Sequence, residues 1–271
     1  MMRTVLLASF AYFSASNAAP SVAPRATAPG SISEQCTNVQ INQGWLVGDC
    51  LTGDNDTRIS SGTFLNNKIS NEDGILTWKL DGHYGYYCYN CEIVNGGSLH
   101  CQCQPNFGQR KDTTLKLDEH IGVYSGHLLS NLKSAPIVPS SPSKYAFPDD
   151  KTYGIGGNAT CPGVRGDNWC SSVAHRCSNT ASTDFSEAVI NNVAPISECY
   201  NPNVYFPDHL PFEDFKAVST GAWEVTGYSD EACTKKLVTI SPEELGQCKT
   251  MKSGEFVRGV TSRPLFNGDP N

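Results

Sequence analysis

The chain has 271 residues, of which 17 % are charged, and a formal net charge of −7. A mildly acidic balance argues against a nucleic-acid partner, which needs a clustered basic face. With 24 glycines, 16 prolines and 39 % hydrophobic residues, the composition favours a loop-rich, mostly all-β protein over a helical bundle.

Residues 1–18 read as a signal peptide. Arg3 supplies the positive start, Val5 to Phe13 the apolar run, and Ser16-Asn17-Ala18 the small residues before cleavage. The run is too short to span a bilayer and no later stretch qualifies, so no membrane partner is expected. Residues 19–30 are rich in Ala and Pro and read as a disordered segment. The expected location is therefore extracellular or the cell wall.

The twelve cysteines split six and six around residues 133–150. In an oxidising compartment an even count implies a disulfide framework. Two sequons, at Asn55 and Asn158, fit a secreted glycoprotein. The spacing Cys88-x-x-Cys91 followed by Cys101-x-Cys103 resembles a zinc site. Secretion and the even count favour disulfides instead, and no metal or cofactor is expected.

Residues 31–132 contain an internal echo. Leu65, Asn66, Ile69, Gly74 and Leu76 are answered by Leu117, Asp118, Ile121, Gly126 and Leu128. Each copy reads as one helical turn, a Gly-marked turn and the start of a strand. Upstream, Cys36-Thr37-Asn38-Val39 pairs with Cys91-Glu92-Ile93-Val94, and Leu46/Cys50 with Leu99/Cys103. Copies of about 50 residues are too small to bury separate cores, so they must share one. Cys36 with Cys50 and Cys91 with Cys103 would each close a hairpin, worth about 3 kcal/mol apiece. Cys88 and Cys101 are left for a third bridge. The arrangement Cys91–Cys101 with Cys88–Cys103 stays open.

These residues, with the stretch Ile69-x-Asn71-x-Asp73-Gly74-x-Leu76-x-Trp78, make residues 31–132 resemble a cyanovirin-N homology domain, a family of two-repeat lectins. The resemblance implies an elongated all-β domain with strands exchanged between repeats. It also implies up to two sites for oligosaccharides, usually mannose-rich. One would use Ser70, Asn71, Asp73, Gln104 and Asn106, with Asn90 at its edge. The weaker one would use Glu34, Gln35, Gly53 and Asp54, with Val123 and Ser125 across from them.

Carboxylates and amides suit sugar hydroxyls, each of which donates and accepts. Val123 offers no polar group, so the Asp73 site is the better candidate. A glycan on Asn55 would also crowd Gly53 and Asp54. Asn-Glu-Asp-Gly is at the same time an ordinary turn. Trp45 and Trp78 read as core, and Tyr84, Tyr86, Tyr87 and Tyr89 as strand packing with alternate rings facing solvent.

Residues 133–150 form a Pro/Ser-rich linker. Residues 151–271 read as a Cys-rich β module of no recognised family. A short helix is expected over 184–192 and strands near 215–218, 223–228, 237–240 and 256–260. Ser241 to Gly246 reads as one capped helical turn. Cys233 and Cys248 bracket a strand and are expected to pair. Gly154-x-Gly156-x-x-Ala159 lacks the strand–turn–helix context of a dinucleotide site.

The resulting expectation is a secreted, non-enzymatic protein that binds cell-wall or glycoprotein oligosaccharides. Two alternatives are a structural or host-interaction protein on the same scaffold, and a hydrolase with catalysis in the second module. For the latter, His175, His209, Asp184, Asp208, Glu213 and Asp214 are the residues to watch.

Overall fold

The repeat leaves a geometric record in the computed structural model, which describes residues 30–133, 135–158, 190–201 and 212–271. The first repeat opens with a single helical turn, α1 (Ile32–Gln35), and a three-stranded antiparallel sheet, β1 (Cys36–Asn42), β2 (Trp45–Leu51) and β3 (Arg58–Phe64). A hairpin of β4 (Ile69–Glu72) and β5 (Ile75–Trp78) follows. The second repeat copies this with β6 (Cys88–Val94), β7 (Ser98–Cys103) and β8 (Lys111–Lys116), then a hairpin of β9 (Ile121–Tyr124) and β10 (His127–Ser130).

The strands are exchanged, as the resemblance implies. The β4–β5 hairpin packs on β8, and the β9–β10 hairpin packs on β3. Matching bonds fix both contacts. Leu76 N–H donates to Thr113 Oγ1 at 3.1 Å, and Leu128 N–H donates to Ser61 Oγ at 2.9 Å. Asn66 and Asp118 also play one role: Asn66 Oδ1 accepts Gly85 N–H at 2.8 Å, and Asp118 Oδ1 accepts Ile32 N–H at 2.6 Å. Each thereby holds the chain entering from the other repeat. The Gly-marked turn lies inside each hairpin rather than before a single strand. Asp73-Gly74 and Ser125-Gly126 have positive φ at both positions, which is what a two-residue hairpin loop requires.

The cysteine pairing of the first hairpin, Cys36–Cys50, is as expected. In the second hairpin it is the alternative, Cys88–Cys103 with Cys91–Cys101. The reason is a bulge. Asn38 and Asn90 sit at positive φ two residues after Cys36 and Cys88, and the register slips there in both hairpins. Cys36 is therefore the structural partner of Cys88, not of Cys91. Cys91 and Cys101 occupy the positions of Val39 and Gly48, and add a bridge the first repeat lacks.

Among the described residues, the second module forms two four-stranded sheets. In chain order its strands are β11 (Tyr153–Asn158), β12 (Ile190–Asn192), β13 (Ile196–Tyr200), β14 (Asp214–Ser219), β15 (Trp223–Tyr228), β16 (Lys236–Ile240), β17 (Lys249–Thr250) and β18 (Gly259–Pro264). The sheet orders are β12-β11-β14-β17 and β13-β18-β15-β16. The expected strand at 256–260 starts later, at Gly259, leaving Val257 as a single bridge to Phe212. Pro242–Glu244 forms the expected capped turn, with Glu244 Oε2 accepting Ser241 N–H at 3.3 Å. The helix expected at 184–192 lies largely outside the described residues, of which 190–192 are strand.

Cys233 pairs with Cys199, not with Cys248. Strand β16 separates residues 233 and 248, and five extended residues span about 16 Å. The sheet order instead brings the end of β13 beside the turn after β15. Gly259 lies under this bridge, where an added Cβ would stand 2.6 Å from Cys199 Sγ. Cys248 is also disulfide-bonded.

The two modules share a core. Trp45 and Phe64, from β2 and β3, pack with Tyr153, Trp223, Val260 and Phe266 rather than with the core of their own repeat. The Trp45 ring lies 6.3 Å from that of Trp223 and 5.7 Å from that of Phe266. Its Nε1–H donates to Val193 O at 2.7 Å, so the buried indole is satisfied. Residues 267–271 then run along β3. Gly62 N–H donates to Asn267 O at 3.1 Å, and Asp269 N–H donates to Gly62 O at 2.8 Å. The Asp269 carboxylate accepts from Thr63 Oγ1 at 2.8 Å and Ser130 N–H at 3.0 Å, with Lys68 Nζ 3.9 Å away. This explains why Ser61 and Thr63 are buried in the second half of β3, whose first half leaves Arg58 and Ser60 exposed. The 133–150 segment lies along the same seam. Phe147 stacks edge-on against Phe266, and Gln43 bonds both Asp150 and the backbone N–H of Lys151.

Two predictions follow from this seam. Trp45→Ala should destabilise the whole described protein by about 3–5 kcal/mol in denaturant unfolding, because it empties a shared core. Burial pulls the Lys68 ammonium down to about 8, against the field of Asp269. Between that value and the ordinary lysine value of about 10.5, the folded chain binds fewer protons than the unfolded chain. Lys68 should therefore contribute stability that rises with pH above about 8. Unfolding curves at several pH values, with Lys68→Met as the control lacking the trend, measure it.

Candidate carbohydrate site

The Asp73-Gly74 turn meets the loop after Cys103 at one end of the first module. Asn71 shapes the turn: its Oδ1 accepts Gly74 N–H at 2.7 Å, and its Nδ2 donates to Gln104 O at 2.6 Å. The self-bonding turn residue is thus Asn71, and Asp73 is free to reach across. Asp73 Oδ1 accepts Asn106 N–H at 2.9 Å. Lys111 Nζ donates to Asp73 O at 2.8 Å and to Oδ2 at 3.2 Å. These donors hold the Asp73 carboxyl below its ordinary value, the Asn106 amide first and Lys111 second. Gln104 Nε2 donates to Pro105 O and Gly108 O, at 3.3 and 3.2 Å.

Of the five residues of this site, the structure brings Asn71, Asp73, Gln104 and Asn106 together. Ser70 is buried in β4, its Oγ 3.4 Å from Glu72 Oε1. Asn90 bonds Gln102 at 3.0 Å, across the β6–β7 pair. The arrangement is a clasp that still offers surface. A carboxylate has about four lone-pair positions, and the Asp73 contacts use two. The Gln104 carbonyl and the exposed Asn106 side chain complete a mixed set of donors and acceptors.

Sequence reasoning missed Lys111, whose position carries no motif. It also misjudged the tyrosines. Residues 84–86 form a 3-10 turn, so strand alternation does not apply. Tyr84 is buried, whereas Tyr86, Tyr87 and Tyr89 are exposed, and Phe107 is 93 % exposed beside Asn106. The Arg110 guanidinium lies 3.9 Å above the Tyr89 ring.

At the opposite end, the weaker candidate set is more scattered in role. Glu34 is exposed at the end of α1, and the Gln35 carbonyl accepts Arg58 Nη1 at 2.7 Å. Gly53 and Asp54 lie in a turn closed by Thr52 N–H to Thr57 O at 2.9 Å. Asn55 is exposed in the same turn, and Asn158 ends β11. Val123 is buried in the shared core of the repeats, so it contributes packing there, while Ser125 stays exposed. Trp78 stacks on His120 at 4.7 Å and packs against the same core.

In the second module, Glu213 and Asp214 stand at the start of β14. His175, His209, Asp184 and Asp208 lie outside the described residues. Among the described residues no group of three His, Cys, Asp or Glu side chains is placed to hold a metal, and no helix is long and apolar enough to cross a membrane.

Residues 33–129 match the family model described as CVNH domain. An NMR structure of a Gibberella zeae CVNH protein is similar at 24 % identity, over 36 % of this chain and 95 % of that chain, with TM-score 0.33. A MoCVNH3 variant in complex with (N-GlcNAc)4 matches at 16 % identity over 38 % and 99 %, with TM-score 0.35. A microvirin:mannobiose complex matches at 22 % identity over 37 % and 97 %, with TM-score 0.32. Comparison with curated proteins found no match.

The clasp predicts a pH response. A carboxyl held below its usual value keeps its bonds at neutral pH and loses them only as pH falls through that lowered value. The Asn106 backbone N–H resonance should be flat at neutral pH and move only as pH falls below the ordinary aspartate range. Lys111→Met should raise the midpoint of that movement toward the ordinary aspartate value.

Proposed function

From the CVNH domain formed by residues 33–129, we infer that this protein is a carbohydrate-binding, lectin-like protein that acts without catalysis. The expected ligands are mannose-rich or related oligosaccharides of a cell wall or glycoprotein. The chain is secreted in this reading, which the disulfide ladder of Cys36–Cys50, Cys88–Cys103, Cys91–Cys101 and Cys199–Cys233 supports. Oxidised cysteines at this density belong to an oxidising compartment.

The observation that carries the site is the Asp73 clasp. Asn71, Asp73 and Gln104 are held by their own bonds before any ligand arrives, so little of their side-chain entropy is lost on binding. Sugar hydroxyls would meet the remaining Asp73 lone pairs, the Gln104 side-chain carbonyl and the Asn106 side-chain amide. The opposite end has Val123 turned into the core where a polar contact is needed, so it contributes less. A single small site binds weakly, and useful strength would come from multivalent glycans.

The test uses the full chain, since Trp45 and Phe64 would be exposed in an isolated first module. Mannobiose, oligomannose and tetra-N-acetylchitotetraose are titrated against the parent and Asp73→Ala. Binding by at least one glycan, weakened about tenfold or more in Asp73→Ala, is expected, because a bond to a charged group is worth roughly 1.5–3 kcal/mol. Equal binding by both proteins would remove Asp73 from the site, and no binding by the parent would leave the domain a scaffold.

A further inference from the structure

A groove of about 350 Å³ runs between the two modules. Asn66, Asn67, Asp81, His83 and Tyr86 line it from the first module, and β13 with Lys133 lines it from the other side; Phe64 is also in the lining. We propose that this groove is a second saccharide site, taking a neutral hexose unit of a glycan, and that the second module exists in part to complete it. None of the candidate residues at the two ends of the first module lines it.

The size fits. Small-molecule pockets run from about 300 Å³ upward, and this is at the small end, suited to one or two sugar rings. An aromatic platform is present. Tyr86 is 68 % exposed, and the His83 ring lies 5.9 Å away with its plane only 14° from parallel. A pyranose presents one face of C–H groups, which packs on such a flat ring surface. Tyr and His also keep a polar edge at the rim, where hydroxyls project.

The polar groups are partly used, and what remains is a mixed set. Asn66 Oδ1 is held by Gly85 N–H, which leaves its amide donors without a partner among the described residues. His83 Nδ1 lies 2.7 Å from the Asp81 backbone carbonyl and donates to it, which leaves Nε2 as the ring's open polar edge. The Lys133 ammonium has three donors and uses two, on Ser197 Oγ at 2.8 Å and Glu198 Oε1 at 3.2 Å. Glu198 keeps its second oxygen, and the Asp81 carboxylate is exposed. Vicinal hydroxyls each donate and accept, and this alternation of donors with acceptors matches them.

Charge decides between ligand classes. The lining carries one ammonium and two carboxylates, so a phosphate or a uronic acid would meet net repulsion, whereas a neutral sugar would not. The backbone is also held in place for the task. Asp81 and His83 both have positive φ, 56° and 53°, although neither is glycine. Asp81 N–H to Asn67 O and His83 N–H to Asn66 O, both 2.8 Å, fix this uncommon conformation and so aim the platform.

The proposal does not depend on the Asp73 site, and the experiment separates the two. Mannotriose, laminaritriose and triacetylchitotriose are titrated calorimetrically into the full chain. The proteins are the parent, Asp73→Ala, and Asp73→Ala combined in turn with Tyr86→Ala, Glu198→Gln and Ser197→Trp. Near-UV circular dichroism verifies the fold of each. Ser197→Trp fills the groove from an exposed position without changing charge. At least one trisaccharide should still bind Asp73→Ala, about tenfold more weakly with Tyr86→Ala or Glu198→Gln, and undetectably with Ser197→Trp. No binding to Asp73→Ala, or binding that Ser197→Trp leaves unchanged, overturns the groove. If the first result comes with binding by the parent, the Asp73 site alone survives. If Asp73→Ala matches the parent and Ser197→Trp abolishes binding, the groove alone survives.

Discussion

The Trp45 indole is the constraint on which the rest depends. By sequence it belongs to β2 of the first repeat, and by packing it belongs to the second module. Its ring meets Trp223 and Phe266, and its N–H is satisfied by Val193. A large buried aromatic facing outward from one module must be covered by another. Residues 267–271 complete the cover by running along β3 and carrying Asp269 beneath Thr63, Ser130 and Lys68. Leaving Lys68 or Asp269 alone in that dry site would be far more costly than forming the pair is rewarding. The seam therefore sets the relative position of the modules, and with it the walls of the groove beside Phe64.

Within the first module, symmetry does the positioning. The same bonds occur twice, at Leu76 and Leu128, and at Asn66 and Asp118. The echo was readable in the sequence because these positions have few chemical solutions: a turn glycine, a side-chain oxygen that accepts a backbone N–H, a buried leucine. Where the two copies diverge, their uses diverge. The turn that carries Asp73 reaches the loop after Cys103, whereas its counterpart carries Ser125, with Val123 absorbed into the core.

What stayed hidden has identifiable physical causes. The pairing in the second hairpin depended on a one-residue bulge at Asn90, and a bulge changes register without altering residue types. The Cys199–Cys233 bridge depended on sheet order, which periodicity does not report. Tyr86 faced solvent because the chain there makes a 3-10 turn, so an alternation argument had nothing to act on. Asn71, Asp73, Gln104 and Asn106 were legible as one cluster through the resemblance, while Lys111 and the contribution of β13 to the groove arise only from tertiary packing. Trp45 was legible as core, but not whose core.

The central claim is that the CVNH domain and the second module are one cooperative body. Native-state hydrogen exchange under increasing denaturant tests it most directly, by comparing amides of β2 and β3 with those of β15 and β18. The account predicts that the most protected amides of both groups share one opening free energy and one dependence on denaturant. Two separate isotherms, with β2 and β3 opening while β15 and β18 stay protected, would contradict it.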